Sequence, residues 1–209
     1  PEAYNAFLLA QHQIQKRTKQ DVEASIPNYE RALVADPNYA PAHAGIGLAW
    51  YLLTASRSTY GTLSLEESLS KSLPHIEKAL ELDDELPEAL GVMGLTLDAR
   101  QRYEEALPYY EKSLALNPSL TDVRNWYSQT LDELGRSDDA LNEMEKAAVR
   151  AKDLTQQLLT FSKGGEPVKR TTGMTKLVRE AAQFALHGSN VRCKLDINEK
   201  LMPVDVDES

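Results

Sequence analysis

The chain has 209 residues, 42% of them hydrophobic and 26% charged, with a net charge of −9 and one cysteine, Cys193. That is enough for one large or two small domains; a lone cysteine excludes an internal disulfide framework or a cysteine metal cluster, and no apolar run approaches a membrane span or a secretory h-region. Residues 1–150 carry 14 Lys/Arg against 24 Asp/Glu and residues 151–209 carry 9 against 8, so the first part repels phosphate backbones and nucleic acid is disfavoured as a partner. The expectation is a soluble, cytoplasmic protein.

The first predicted helix, "PEAYNAFLLAQHQI", sets Tyr4, Phe7, Leu8 and Ile14 on one face. A basic, polar loop, "QKRTKQD", leads into a second helix, "EASIPNYERALVADP", with Pro27 read as lying near its start, where a missing N–H costs little. "YAPAHAGIGLAWYLL" follows, with Gly47 where a neighbouring helix comes close and Trp50 three residues on. The Ser/Thr-rich stretch "TASRSTYGTLSLEES" either lengthens the helices beside it or makes a mobile excursion. Residues 87–120 then give two amphipathic helices. Ala89, Leu90, Met93, Gly94 and Leu97 lie on the first; Ala106, Leu107, Tyr110, Ser113 and Leu114 lie on the second, which Pro118 stops. The next segment turns at Leu134–Gly135 and opens another helix at Ser137.

These elements recur. Ser25, Tyr29, Ala32 and Pro37 have the spacing of Ala106, Tyr110, Ser113 and Pro118, and Ser72, Ile76 and Ala79 repeat it with Asp84 in the proline's place. Ala140, Met144 and Ala147 stand 34 residues after Ala106, Tyr110 and Ser113. From Pro37 to Asp84 the interval is 47, and the Ser/Thr-rich stretch is the surplus. Helix pairs of this kind bury their apolar faces only by stacking on neighbours. The pattern resembles the tetratricopeptide repeat, in four copies over residues 3–150. The resemblance implies a mainly α fold, a solenoid of about four helix pairs, holding a protein or peptide partner in a groove.

In that family the groove is lined by the second, fifth, ninth, twelfth and thirteenth positions of each first helix. Carried over, these are Pro41, Ala44, Leu48, Tyr51 and Leu52; Glu88, Gly91, Leu95, Asp98 and Ala99; and Asp122, Asn125, Gln129, Asp132 and Glu133. Members that clamp a terminal carboxylate use Lys, Arg and Asn there, and only Asn125 fits. Five acidic positions and no basic one imply a partner segment with a basic and an aliphatic part.

At Lys152, where the fourth copy should stop, nothing stops it. Ala140, Met144, Ala147, Ala151, Leu154, Leu158 and Phe161 continue a heptad stripe. The spacing predicts one helix from Ser137 to Ser162, roughly 39 Å long, packed on the repeats in its first half. Leu154, Leu158 and Phe161 in its second half are candidates for a dimerisation surface. From Ala151 onward the sequence resembles an internal piece of a bacterial sensor histidine kinase. "DLTQQLLTFSKGG" is similar to the second helix of the dimerisation and phosphotransfer hairpin, "EPVKRTT" to the linker, and the remainder to the start of the ATP-binding domain. The residues themselves give a helix stop at Gly164–Gly165 and an amphipathic helix through Met174, Leu177, Val178, Ala181, Phe184 and Ala185. They also give a strand through Val191, Cys193, Leu195 and Ile197 and a short returning strand at Val204 and Val206. The domains are read as 1–150, 151–163 and a small incomplete α/β segment, 164–209.

No catalytic residue is assigned. A histidine kinase needs a phospho-accepting His followed by an acidic residue, whereas His12, His43, His75 and His187 precede Gln, Ala, Ile and Gly. Its magnesium-binding asparagine helix and Asp-x-Gly-x-Gly loop have no counterpart in this sequence. Asp138–Asp139 and Asp205 with Asp207 read as solvated loop charges, Cys193 as a core residue, and no cofactor or metal site is expected. Three functional readings follow: a non-catalytic interaction scaffold or sensory module of a bacterial two-component protein; a histidine kinase whose other segments are missing; and an adaptor that dimerises, or meets a kinase, through its last helix.

Overall fold

The computed structural model describes residues 2–56, 59–163, 169–173, 175, 178–179, 181–182, 194 and 203–207. Its helices are α1 (Glu2–Ile14), α2 (Lys19–Ala35), α3 (Ala40–Leu52), α4 (Leu65–Leu82), α5 (Pro87–Asp98), α6 (Tyr103–Leu116), α7 (Thr121–Glu133) and α8 (Ser137–Lys163). Two strands follow, β1 (Lys169–Gly173) and β2 (Pro203–Asp207). The chain divides into two compact units, Pro1–Met144 and Glu145–Ser209.

In the first unit α1 packs with α2, α3 with α4, and α5 with α6, while α2, α4 and α6 each also meet the first helix of the next pair. First helices touch in series, α1 with α3, α3 with α5 and α5 with α7. They therefore form a continuous layer, and the unit is an α-solenoid. The recurring positions make its core: Ser25, Tyr29 and Ala32, Ser72, Ile76 and Ala79, and Ala106, Tyr110 and Ser113 are all at most 1% exposed. Small residues at these positions let backbones approach, and the serines use the proximity. Ser72 donates to the Gly47 carbonyl at 2.7 Å and Ser113 to the Pro87 carbonyl at 2.6 Å. Close approach also fixes the glycines, since a Cβ on Gly94 would stand 2.7 Å from Cε1 of Tyr110.

Helix stops repeat as well. After α2, α4 and α6 come Asp36, Asp83 and Asn117, whose side chains accept from the backbone N–H two residues on, at 3.0, 3.1 and 3.1 Å. This Asx turn competes with a further helical turn. It explains why the second copy stops without a proline at Asp84. In the fourth copy the corresponding residues are Ala151 and Lys152, which offer neither device, and α8 runs on for 27 residues, about 40 Å.

Several local expectations need correction. Pro27 is not near a helix start, because α2 begins at Lys19, capped by the Thr18 hydroxyl, which accepts from the Asp21 N–H at 3.1 Å. Pro27, Pro74 and Pro108 lie inside α2, α4 and α6, each two residues after the first buried core position. The basic loop expected before α2 is a tight turn with Arg17 at φ 55°, matched by Gln101 at 61° and Gly135 at 71° in later pairs. On α1 the buried face is Ala6, Phe7, Ala10 and Ile14, with Tyr4 and Leu8 exposed; among the described residues α2 and α3 are the helices that pack on it. The Ser/Thr-rich insertion starts α4 early and folds back as a loop whose described residues are pinned to the end of α3. There Tyr60 N–H donates to the Leu52 carbonyl at 2.8 Å and Leu63 N–H to the Leu53 carbonyl at 3.0 Å. Met144 does not continue the buried stripe: Ala140 is 6% exposed and Met144 54%, since among the described residues no further first helix follows α8 to cover that position.

In the second unit β1 and β2 pair antiparallel, with Lys169 opposite Asp207 and Thr171 opposite Asp205. The segment expected to be a linker thus supplies β1, and the returning strand at Val204 and Val206 is β2. Asp205 and Asp207 are strand residues, and Asp138 and Asp139 sit in the first turn of α8 rather than in loops. Thr175, Val178, Arg179, Ala181 and Ala182 are helical, with Val178 half-buried and Ala181 exposed. Met174, Leu177, Phe184, Ala185, Gly164–Gly165, His187, and the expected strand at Val191, Cys193, Leu195 and Ile197 lie outside the described residues. So do the side chains of Ala147, Leu154, Leu158 and Phe161.

Candidate protein-binding groove

The layer of first helices presents the residues between the core stripes of α3, α5 and α7. Tyr51 and Leu48 on α3 and Glu88 and Asp98 on α5 are half-buried, and Asn125, Gln129, Asp132 and Glu133 on α7 are exposed. Leu95 is 4% exposed and belongs to the core, as do Ala44, Leu52 and Gly91; small or aliphatic residues at these positions serve the contact between first helices. Asp122 is met by the guanidinium of Arg17 from the first turn of the solenoid. Asp132 accepts from the Ser137 hydroxyl at 2.8 Å.

Three repeats converge at Asp98. The Thr130 hydroxyl of α7 lies 3.0 Å from its Oδ1 and 3.0 Å from the Trp126 carbonyl. Its single hydrogen goes to the carboxylate, the stronger acceptor. Burial pushes the Asp98 carboxyl above the usual carboxylate range, the Thr130 bond opposes this, and Glu133 adds to it. Burial, then the charge on Asp98, pushes the Tyr51 phenol up to about 12. Tyr103 is raised by desolvation and by Glu133 and Asp98. Tyr110 is raised by burial first and then by Asp98 and Tyr51, with Thr130 opposing; its hydroxyl is fully buried. Thr130, Tyr103 and Tyr110 are not among the groove residues that the sequence predicts. Thr130 and Tyr110 stand at repeat positions that another copy fills alike, with Thr96 and Tyr29, and both are buried, so periodicity marks them as core and carries no signal of their nearness to Asp98.

Of the histidines, His12 is exposed on α1. His43 on α3 and His75 on α4 face each other, Nδ1 to Nδ1 at 3.1 Å, and Nε2 of His43 lies 3.2 Å from the Pro37 carbonyl. The carbonyl takes the Nε2 hydrogen, which leaves Nδ1 of His43 to accept from His75. Burial, then His43, holds His75 below the ordinary imidazole value. This pair ties two helices of one repeat. Among the described residues no three His, Cys, Asp or Glu side chains gather as a metal site, and no helix is long and apolar enough to cross a membrane.

Stacked helix pairs, small residues at the pair contacts and a layer of first helices define a tetratricopeptide-type α-solenoid, a fold that serves as a protein–protein interaction scaffold. Residues 87–120, the α5–α6 pair with its flanking turn, match the tetratricopeptide repeat family. Among solved structures, the chain is similar in fold to a thermophilic tetratricopeptide repeat protein of Thermus thermophilus. The identity is 19% and the TM-score 0.58, over 77% of this chain and 80% of that one. It is also similar to PilF of Pseudomonas aeruginosa, at 20% identity and a TM-score of 0.52, over 69% of this chain and 59% of that one. No curated protein sequence matches it.

Proposed function

We propose that the chain is a non-catalytic scaffold whose groove of first helices takes a protein segment with basic and aliphatic parts, in a bacterial two-component signalling protein. The observation that carries the groove reading is its charge: Glu88, Asp98, Asp122, Asp132 and Glu133 on α5 and α7, with no basic residue at the corresponding positions. Complementary potential gives such a surface its choice of partner and its salt dependence. The signalling part rests on the kinase-like sequence after Ala151 and on the continuity of α8 from Ser137 to Lys163. A helix shared by repeat and kinase-like sequence offers a route by which partner binding biases a kinase. The groove reading is tested by replacing Asp98, Asp132 and Glu133 with Ala and titrating a blocked Lys/Leu decapeptide by calorimetry. Weaker, less salt-sensitive binding is expected, and unchanged binding refutes it. ATP titration checks the catalytic reading, for which a heat of binding is the positive result. Sedimentation with and without residues 151–209 tests dimerisation through Leu154, Leu158 and Phe161.

A further inference from the structure

We infer that copies of this chain stack end to end, the exposed face of α1 in one copy covering the exposed face at the start of α8 in the next. Inside the first unit each second helix is met by the first helix of the following pair, and two contacts show which positions meet. The rings of Tyr110 on α6 and Tyr127 on α7 lie 5.9 Å apart. A Cβ on Gly45 of α3 would stand 2.4 Å from Cε1 of Tyr29 on α2. Tyr29 and Tyr110 hold one repeat position, four residues after Ser25 and Ala106, and Met144 holds it on α8, four after Ala140. Met93 and Tyr127 each lie eight residues before a positive-φ turn residue, Gln101 and Gly135, and Leu9 lies eight before Arg17. Leu9 is therefore the Tyr127 of α1. Ile46 and Met93 directly precede the close-contact glycines Gly47 and Gly94, so Gly45 holds the position of Leu8.

Positions covered elsewhere in the unit are open at its two ends. Leu8 and Leu9 are 45% and 46% exposed, against 1% for Ile46 and 8% for Tyr127. Met144 and its neighbour Leu141 are 54% and 64% exposed, against at most 1% for Tyr29, Ile76 and Tyr110. Terminal repeats of a solenoid ordinarily turn a polar face outward; here both turn out leucine or methionine. One end carries the first-helix half of the recurring contact and the other the second-helix half, so the occupant that matches both in register is a second copy. Neighbouring helices joined by short turns run antiparallel. The stacked α1 then sets its basic end, with His12 and Lys16, toward the acidic start of α8, with Asp138 and Asp139, which adds charge complementarity to the apolar contact. Because the joined surfaces are unlike, the contact does not close as a twofold dimer. It propagates into a ring or an open filament.

The test is sedimentation of the full chain and two variants, Leu9→Lys on α1 and Met144→Glu on α8, both at exposed positions. Wild type is expected to grow past twice its 23.3 kDa as concentration rises, levelling off if the stack closes into a ring. Each variant alone keeps one intact end and loses self-association at least tenfold. Mixed, the two form a dimer and nothing larger, the intact α8 face of one covering the intact α1 face of the other. Leu8→Lys and Leu141→Glu, on the adjacent positions, repeat the pattern. A wild type that stays monomeric overturns the inference and leaves these faces to some other occupant. Variants that each dimerise as wild type does overturn it too, and point instead to a twofold contact such as one through Leu154, Leu158 and Phe161.

Discussion

The Arg17 guanidinium, in the turn between α1 and α2, makes an ion pair with Asp122 in the first turn of α7, 105 residues further along the chain. The two side chains are 32% and 49% exposed, and a pair so open to water contributes at most about 1 kcal/mol. Its consequence concerns occupancy of the groove more than stability, because a partner's cation must compete with Arg17 for Asp122. Arg17→Asn, whose side chain tolerates the positive φ of this turn, is expected to change the denaturation midpoint little. Affinity for a basic peptide should rise about two- to threefold, as titration by calorimetry will show; a fall would mean that the pair shapes the groove.

Asp98 gives a prediction with opposite signs for stability and binding. Its folded-state carboxyl sits above the ordinary value of 3.8, chiefly through burial. The folded state therefore holds the proton more tightly than the unfolded one, and stability falls as pH rises from about 3.8 through that raised value. Asp98→Asn should be more stable than wild type at pH 7 and lose that advantage in acid, while binding Lys peptides worse. Urea titrations at pH 7 and pH 3 check this. Equal gaps at both values would mean that the carboxylate is not the cause.

His75 acts in a higher window and with the other sign. Burial and His43 hold it below 6.5, so the unfolded chain takes up its proton first and stability falls as pH drops below about 6.5. His75→Gln should flatten the slope of stability between pH 7 and pH 5, measured by thermal melts.

Gly94→Ala tests the stacking directly. The new methyl would meet Cε1, Cδ1 and Cζ of the fully buried Tyr110 at 2.7, 2.8 and 3.0 Å. A packed ring cannot retreat as a flexible chain end can, so a loss of about 2–3 kcal/mol is expected. Chemical denaturation measures it.

Arg124 and Glu143 link α7 to α8 at 2.6 Å with side chains only 8% and 13% exposed, and Arg124 also donates to the Pro118 carbonyl at 2.8 Å. Removing one partner leaves a buried charge uncompensated, so Glu143→Leu should cost about 3 kcal/mol. Arg124→Met added to it should recover most of that loss. The four-variant cycle in urea reads the coupling.

Spacing along the chain determined the helix pairs, their period, the buried triplets beginning at Ser25, Ser72 and Ala106, and the overrun of α8 past Lys152. Each of these depends on neighbours three, four or seven residues away, and an Asx turn or its absence is equally local. Tertiary structure decided which groove residues meet. Asp98 and Thr130 are 32 residues apart and Arg17 and Asp122 are 105 apart, and periodicity relates equivalent positions of successive repeats, not the different positions that stacking brings together. It also decided that Leu95 is covered and Met144 is not. A repeat position fixes the face of its own helix, but the cover over that face belongs to the helix stacked next to it.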